Sequence, residues 1–208
     1  VYGGEGLGRL ASGQAVFVSG VLPGELVRAG IVRKRKGIFH AIAEAIIEPS
    51  PDRVAPPCGG EKQCTGATWP FIAYPAQLRL KQEILLDALQ RTGGMRPKRP
   101  LPIIPSPKTE HYRLRTQFNV RLEKGAQRIG FFRQGSYSLV EVEDAFLIHP
   151  LINRTLAAVR DIVTLLPPLM EIHINASPAG EVHLLVFGAE ETLKPIDEFF
   201  AKLQKAVP

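Results

Sequence analysis

The clearest alternation of apolar and polar positions lies in "YRLRTQFNVRLE" (112–123). Tyr112, Leu114, Thr116, Phe118, Val120 and Leu122 fall on one side, and Arg113, Arg115, Gln117, Asn119, Arg121 and Glu123 on the other. That period of two predicts a half-buried strand. "KGAQ" (124–127) turns it into "RIGFFRQ" (128–134), and "SLVEVE" (138–143) continues as in a meander. "MEIHINASPAGEVHLLVFG" (170–188) predicts a hairpin of two further strands. Between these runs the spacing becomes helical. Leu78, Leu85 and Leu89, flanked by Ile84 and Ala88, form one stripe over 74–94, which Gly93 and Gly94 stop. Residues 151–166 predict a second helix and 192–206 a third, with Pro195 tolerable in its first turn.

Before residue 50 the runs are shorter and broken by glycine. "QAVFVSG" (14–20), "ELVRAGIVRKRK" (25–36) and "GIFHAIAEAIIE" (37–48) predict three strands. "LPGE" (22–25) predicts a turn in which Gly24 can take the positive φ such turns often require. Short strands this dense predict a small barrel, which leaves no unpaired edge. "EPSPDRVAPP" (48–57) carries four prolines in ten residues and cannot continue a ladder. The expected fold is therefore a β-barrel over 1–49 and a linker over 50–57. An α+β domain with a mostly antiparallel sheet follows over 58–208.

Charge adds a partner. Lys and Arg number 26 against 20 Asp and Glu, a net +6, which suits a polyanion such as nucleic acid. No apolar run approaches the ~20 residues of a membrane span, so no membrane partner is expected. The amino end lacks a signal-peptide pattern, and two cysteines make no disulfide framework, so a cytoplasmic setting is expected. No obligate protein partner is evident. Arg28, Arg33, Lys34, Arg35 and Lys36 crowd "VRAGIVRKRKG" (27–37), where they could clamp backbone phosphates or form an ordinary solvated hairpin tip. Phe39 and His40 follow and could stack on a base. Arg113, Arg115 and Arg121 share the polar face of 112–123 with Gln117 and Asn119, and Arg128 and Arg133 would extend it. Only Glu110 and Glu123 lie nearby in sequence to neutralise that face.

Enzymatic signatures are absent from this stretch. "GGEGLG" (3–8) lacks the spacing of a dinucleotide loop and reads as a barrel turn. The five histidines form no metal-binding pair, although His173 and His183 could face each other across the 170–188 hairpin. No catalytic residue is assigned. Cys58 and Cys64, in "CGGEKQCTGA" (58–67), are two thiols in a loop, or half of a metal site.

Several of these segments together resemble the RNA 5-methyluridine methyltransferases, which modify uracil in ribosomal and transfer RNA. "GGEGLGRLASGQAVFVSGVLPGELV" (3–27) resembles the family's amino-terminal TRAM domain, an OB-like five-stranded RNA-binding barrel, and the barrel over 1–49 is expected to be amino-terminally incomplete, lacking its first strand or strands. "PSPDRVAPPC" (49–58), the 74–94 helix and "HYRLRTQFNV" (111–120) resemble the central domain that follows, in the same order. The family's iron–sulfur cysteines correspond to Cys58, Cys64, Ala67 in "CGGEKQCTGA" and Ala145 in "VEVEDAFLIHPLIN" (140–153). Two of the four thiolates are thus alanine, and an intact cluster is not expected. The family's nucleophilic cysteine, its acidic base and its S-adenosylmethionine loop lie in a later domain that does not appear before Pro208. The resemblance implies the RNA-binding part of an S-adenosylmethionine-dependent uracil-5-methyltransferase, acting most naturally on ribosomal RNA and inactive alone. A stand-alone RNA-binding module, or a redox- or metal-sensing domain using the two cysteines, are the alternatives.

Overall fold

A computed structural model describes residues 1, 3–58, 64, 66–133, 136–188 and 196–207. The chain divides into two units: Val1–Pro56 with Thr68–Ser106, and Pro57–Ala67 with Pro107–Pro208.

In the first unit, strands β1 (Gly6–Arg9), β2 (Ala15–Ser19), β3 (Leu26–Arg35) and β4 (Ile38–Glu48) form one sheet in the order β1-β2-β4-β3. The three expected strands are present, and "GLGR" adds a fourth. β2 and β4 run parallel and the other pairs antiparallel. The β3–β4 hairpin closes through Lys36 and Gly37 at φ 48° and 80°, the left-handed pair that a two-residue hairpin turn requires. Val16, Val18 and Ala41 form the sheet's small core, with Phe39 and Ala43 half-buried against it. Three register shifts along β3–β4 bend the hairpin. They do not close it: no pairing joins β1 to β3 among the described residues, so the expected barrel is an open four-stranded sheet.

The proline-rich segment departs from the expected linker. Its prolines remove four donors, but the N–H groups of Arg53 and Val54 lie between them and are both used. Arg53 bridges to Ile72, Val54 N donates to Phe71 O at 2.9 Å, and Ala73 N donates to Asp52 O at 2.9 Å. These bonds sew 50–56 and the start of α1 (Tyr74–Gly93) into the first unit, although 58–106 was expected to lie wholly with the later domain. Below them, the Glu25 carboxylate is completely buried. It accepts from Arg53 Nε at 2.6 Å, Arg53 Nη2 at 2.8 Å, Leu22 N at 2.8 Å and Ser50 N at 3.1 Å. Gly94, left-handed at φ 62°, ends α1 by donating to Gln90 O. The expected Leu78–Leu85–Leu89 stripe is not the buried face: Leu85 is exposed, and Ala76 and Leu80 meet Leu22, Phe71 and Ile72 instead. Only the helix's first turns reach that cluster.

In the second unit, β5 (Arg115–Glu123), β6 (Ala126–Phe132), β7 (Leu139–Glu141), β8 (Leu169–Ala176) and β9 (Val182–Gly188) form an antiparallel sheet ordered β7-β6-β5-β8-β9. The helices α2 (Pro150–Ile162) and α3 (Ile196–Ala206) cover one side. Phe118, Val120, Ile129, Ile172 and Ile174 of the sheet meet Ile152, Leu156, Val159 and Phe199 of the helices, all 1% exposed or less. This is the expected α+β arrangement with a mostly antiparallel sheet. α2 gives way at Val163–Leu165 to a 3-10 turn, and the portion of the last helix expected before Ile196 lies outside the described residues.

The long strand begins later than its alternation predicts. Arg113 N donates to Leu147 O, and Arg113 O accepts from His149 N, both at 2.9 Å. This bridge ties Arg113 to the loop before α2, so the strand begins at Arg115; Leu114 O still accepts from Ala176 N of β8 at 2.7 Å, and Tyr112 and Leu114 are exposed. On β6, Gly130 makes a close approach: a Cβ there would lie 2.1 Å from Val140 O. A backbone neighbour cannot swing aside, so Gly130→Ala should cost about 1–3 kcal/mol by overpacking. A shift in urea midpoint, with the m-value kept, would measure it; an unchanged midpoint would refute it.

Candidate nucleic-acid interface

Pairing the strands assembles one solvent-facing side on the second sheet. Arg115, Gln117, Asn119 and Arg121 project from the central β5. Beside them lie Arg128, Gly130 and Phe132 on β6, and Glu171, His173 and Asn175 on β8. His183, Leu185 and Phe187 complete the face on β9. Arg121 does not stand free of the face: its guanidinium lies over the Phe132 ring at 5.0 Å.

The expected shortage of carboxylates is only half true. Arg128 Nε donates to Glu141 Oε2 at 2.9 Å, its Nη2 meets the same oxygen, and Glu123 lies 3.9 Å away. The hydrogen bond from Arg128 to Glu141, reinforced by that carboxylate's charge, raises the guanidinium's pKa above its ordinary value. Glu141 comes from β7, beyond the reach of a local sequence reading. Arg113, Arg115 and Arg121, by contrast, make no ion pair among the described residues. The unneutralised cations are thus the ones the alternation singled out, with Arg128 removed. Arg133 lies just beyond β6 and is exposed, with its N–H donating to Ser138 O.

The basic hairpin of the first unit is arranged differently. Consecutive strand residues alternate sides, so Lys34 shares a face with its register partner Phe39, while Arg33 and Arg35 take the other side. Lys36 occupies the turn. The expected single cluster is therefore split, although all four side chains are exposed. Lys34 Nζ sits 4.8 Å from the Phe39 ring centroid, and the ring packs against Val16, Val18 and Ala41. Phe39 is thus occupied by its own strand neighbour. His40 stacks on Phe17 at 5.5 Å, and its Nδ1 is 3.6 Å from Glu5 Oε1.

Cys58 and Cys64 are joined as a disulfide, their Cα atoms 5.5 Å apart, rather than held as two free thiols. Ala67 N donates to Cys64 O at 3.1 Å, and a Cβ at Gly66 would lie 3.8 Å from Arg113 Nη1. Ala145 packs half-buried against the second unit's core and accepts from Ile148 N at 2.8 Å. Neither alanine side chain has an atom that could ligate iron, and the two cysteine sulfurs are bonded to each other. This set does not fit a four-thiolate cluster. No group of three metal-ligating side chains occurs among the described residues.

His173 and His183 share a face but are not partners: His173 is in register with Leu185, and His183 with Asn175. A signal that sequence reading passed over lies here. Phe187 is 40% exposed and sits 4.7 Å from the His173 ring; alternation along 182–188 alone puts it on the polar side. In the first unit, only the start of "GGEGLG" is the expected turn: Gly3 and Gly4 lead into β1, which Gly6, Leu7 and Gly8 themselves form, and Gly4 O accepts from Trp69 Nε1 at 3.1 Å. A cleft of about 310 Å³ beside it is lined by Glu5, Val18, Trp69, Leu80 and Glu83. Its charged groups are carboxylates, which do not suit phosphate. No helix among the described residues is long and apolar enough to cross a membrane.

No family model matches the sequence. An uncharacterized RNA methyltransferase of Aquifex aeolicus is 36% identical over 187 residues, 90% of this chain and 43% of that protein. The 23S rRNA (uracil(1939)-C(5))-methyltransferase RlmD of Halomonas elongata is 34% identical over 159 residues, 76% of this chain and 32% of the relative. The chain therefore spans less than half the length of either. Among solved structures, the tRNA (uracil-54, C5)-methyltransferase of Pyrococcus abyssi, in complex with S-adenosyl-L-homocysteine, superposes with a TM-score of 0.59 over 96% of this chain and 50% of that one. At 20% identity that likeness speaks for the fold alone.

Proposed function

We propose that this chain, a relative by sequence of the RNA uracil-C5-methyltransferases, is the RNA-docking part of such an enzyme. The observation that carries the reading is the exposed face of the second sheet. Arg115 and Arg121 flank Gln117 and Asn119 there with no carboxylate partner among the described residues, and Arg113 stands beside the strand. Guanidinium groups bind phosphate oxygens, and carboxamides can reach base edges. The open sheet of the first unit would act as an OB-like, TRAM-type module, with Arg33, Lys34, Arg35 and Lys36 contacting backbone from both sides of its hairpin. Phe39 would support Lys34 rather than stack on a base.

In this reading the methyl donor, S-adenosylmethionine, binds elsewhere in the full enzyme, and no residue of this chain touches it. Methylation at C5 of uracil needs a thiolate nucleophile. In this reading that thiolate, like the methyl donor, comes from elsewhere in the full enzyme, and the chain alone should not methylate RNA. Nor does it carry the iron–sulfur cluster. Its work is to hold folded RNA so that a catalytic domain can take the target uridine out of its stack, in a cytoplasmic, most naturally ribosomal, setting.

Titrating the 208-residue chain with a ribosomal RNA fragment at rising salt tests this. Phosphate neutralisation releases counterions, so affinity should fall steeply and linearly on logarithmic axes. An affinity unchanged between low and moderate salt would overturn the reading.

A further inference from the structure

Two aromatic groups on the exposed sheet face have no part in phosphate binding. On β8 and β9, His173 and Phe187 lie 4.7 Å apart at an interplanar angle of 47°, and His173 Nε2 is 3.2 Å from Glu171 Oε2. Leu185, in register with His173, widens the apolar surface. On the other side of β5, Phe132 meets Tyr137 edge-on at 5.7 Å, and Tyr137 is 83% exposed. Between the two groups stand Arg115, Gln117, Asn119 and Arg121. The order β6-β5-β8-β9 separates Phe132 from Phe187 by three strand spacings, roughly 14 Å at ~4.8 Å each.

Resting on the RNA-docking reading, we propose that this face binds a single-stranded segment of RNA, one unpaired base stacking on Phe187 and another on Tyr137. The chemistry selects single strands over duplex. An exposed ring gains most from the π-face of an unstacked base, which a duplex keeps hidden. Gln117 and Asn119 lie where a strand crossing β5 would present its base edges. A protein partner would have to bring carboxylates to the middle of the patch, where Arg115 and Arg121 have no ion-pair partner among the described residues, whereas an RNA strand carries its own phosphates past them. Glu171 lies on the same face, held by His173. Its charge keeps phosphates off β8 and steers the backbone towards Arg115 and Arg121.

Anisotropy of a labelled RNA octanucleotide of mixed sequence, alone and annealed to its complement, tests the proposal. The wild-type chain should bind the single strand more tightly than the duplex. Phe187→Leu should weaken single-strand binding about tenfold and leave duplex binding unchanged, and Tyr137→Leu should act in the same direction. Phe187→Tyr, which keeps the π-face, should bind as the wild type does, and this separates stacking from a folding defect. If Phe187→Leu changes neither affinity, or both equally, the stacking proposal falls while RNA docking stands. If the wild-type chain binds neither RNA, both fall.

Discussion

Arg53→Met should destabilise the first unit by about 3–5 kcal/mol, the cost of leaving a buried charge without its partner. Arg53 holds Glu25 through two nitrogens and also donates to Gly20 O at 2.8 Å, while its guanidinium covers the Phe71 ring at 4.7 Å. The Glu25 side chain has no exposed surface, and that of Arg53 is 17% exposed, so solvent cannot take over the lost bonds. Methionine keeps much of the stem's volume and removes the charge, which isolates the electrostatic part. The only tryptophan, Trp69, belongs to this unit, so indole fluorescence during urea unfolding follows it selectively. A loss below about 1 kcal/mol would mean the pair behaves like an exposed one.

The same pair sets a pH dependence. Burial alone raises the Glu25 pKa. The Arg53 hydrogen bonds, the N–H groups of Leu22 and Ser50 and the guanidinium charge outweigh it, and the carboxyl ends below its ordinary value. A folded pKa below the unfolded one stabilises above the unfolded value, and the gain is lost as pH falls through the folded value. The wild type should therefore lose stability from about pH 4 downwards. The gap between wild type and Arg53→Met should be widest near neutrality and narrow in acid. A gap constant from pH 7 to pH 3 would contradict this.

The second large effect concerns RNA. Replacing Arg115 and Arg121 together by glutamine should reduce the steepness of the salt dependence by roughly 1.4, about 0.7 for each single-strand phosphate that is no longer neutralised. Arg128→Gln is the internal comparison. Arg128 already spends its charge on Glu141 and Glu123, so its removal should change the slope much less. Equal effects from Arg128→Gln and from either arginine of the pair would show that net charge, rather than this arrangement, controls binding. All three sites are exposed, and urea midpoints close to wild type would confirm intact folding.

The two sheets differ in how far local pattern reaches. β5 was legible because helices cover the middle of one of its faces. Burial enforces a period of two, and Phe118 and Val120 at 1% exposed or less bear the pattern out. The pattern failed at Tyr112 and Leu114, exposed on either side of the backbone bonds that tie Arg113 to Leu147 and His149, and at Leu122, which is exposed near the strand's other end. The 74–94 helix was legible as a helix, from its propensity and its glycine stop. Its buried face was not, because Ala76 and Leu80 pack where a small cluster happens to lie.

Alternation and composition alone were enough to identify strands, helices, turns and a run of arginines on one side of a strand. These are near-neighbour properties: a side chain's face follows from its parity, and a turn from its glycine or proline. The neutralisation of Arg128 by Glu141, the covering of Phe39 by Lys34 and the grip of Arg53 on Glu25 needed the folded chain. Each joins residues from different strands or loops, and which charge meets which is set by register and sheet order. No local period encodes either. The face that could hold RNA was half written in 112–123; Phe187 and His173 joined it only when β8 paired with β5.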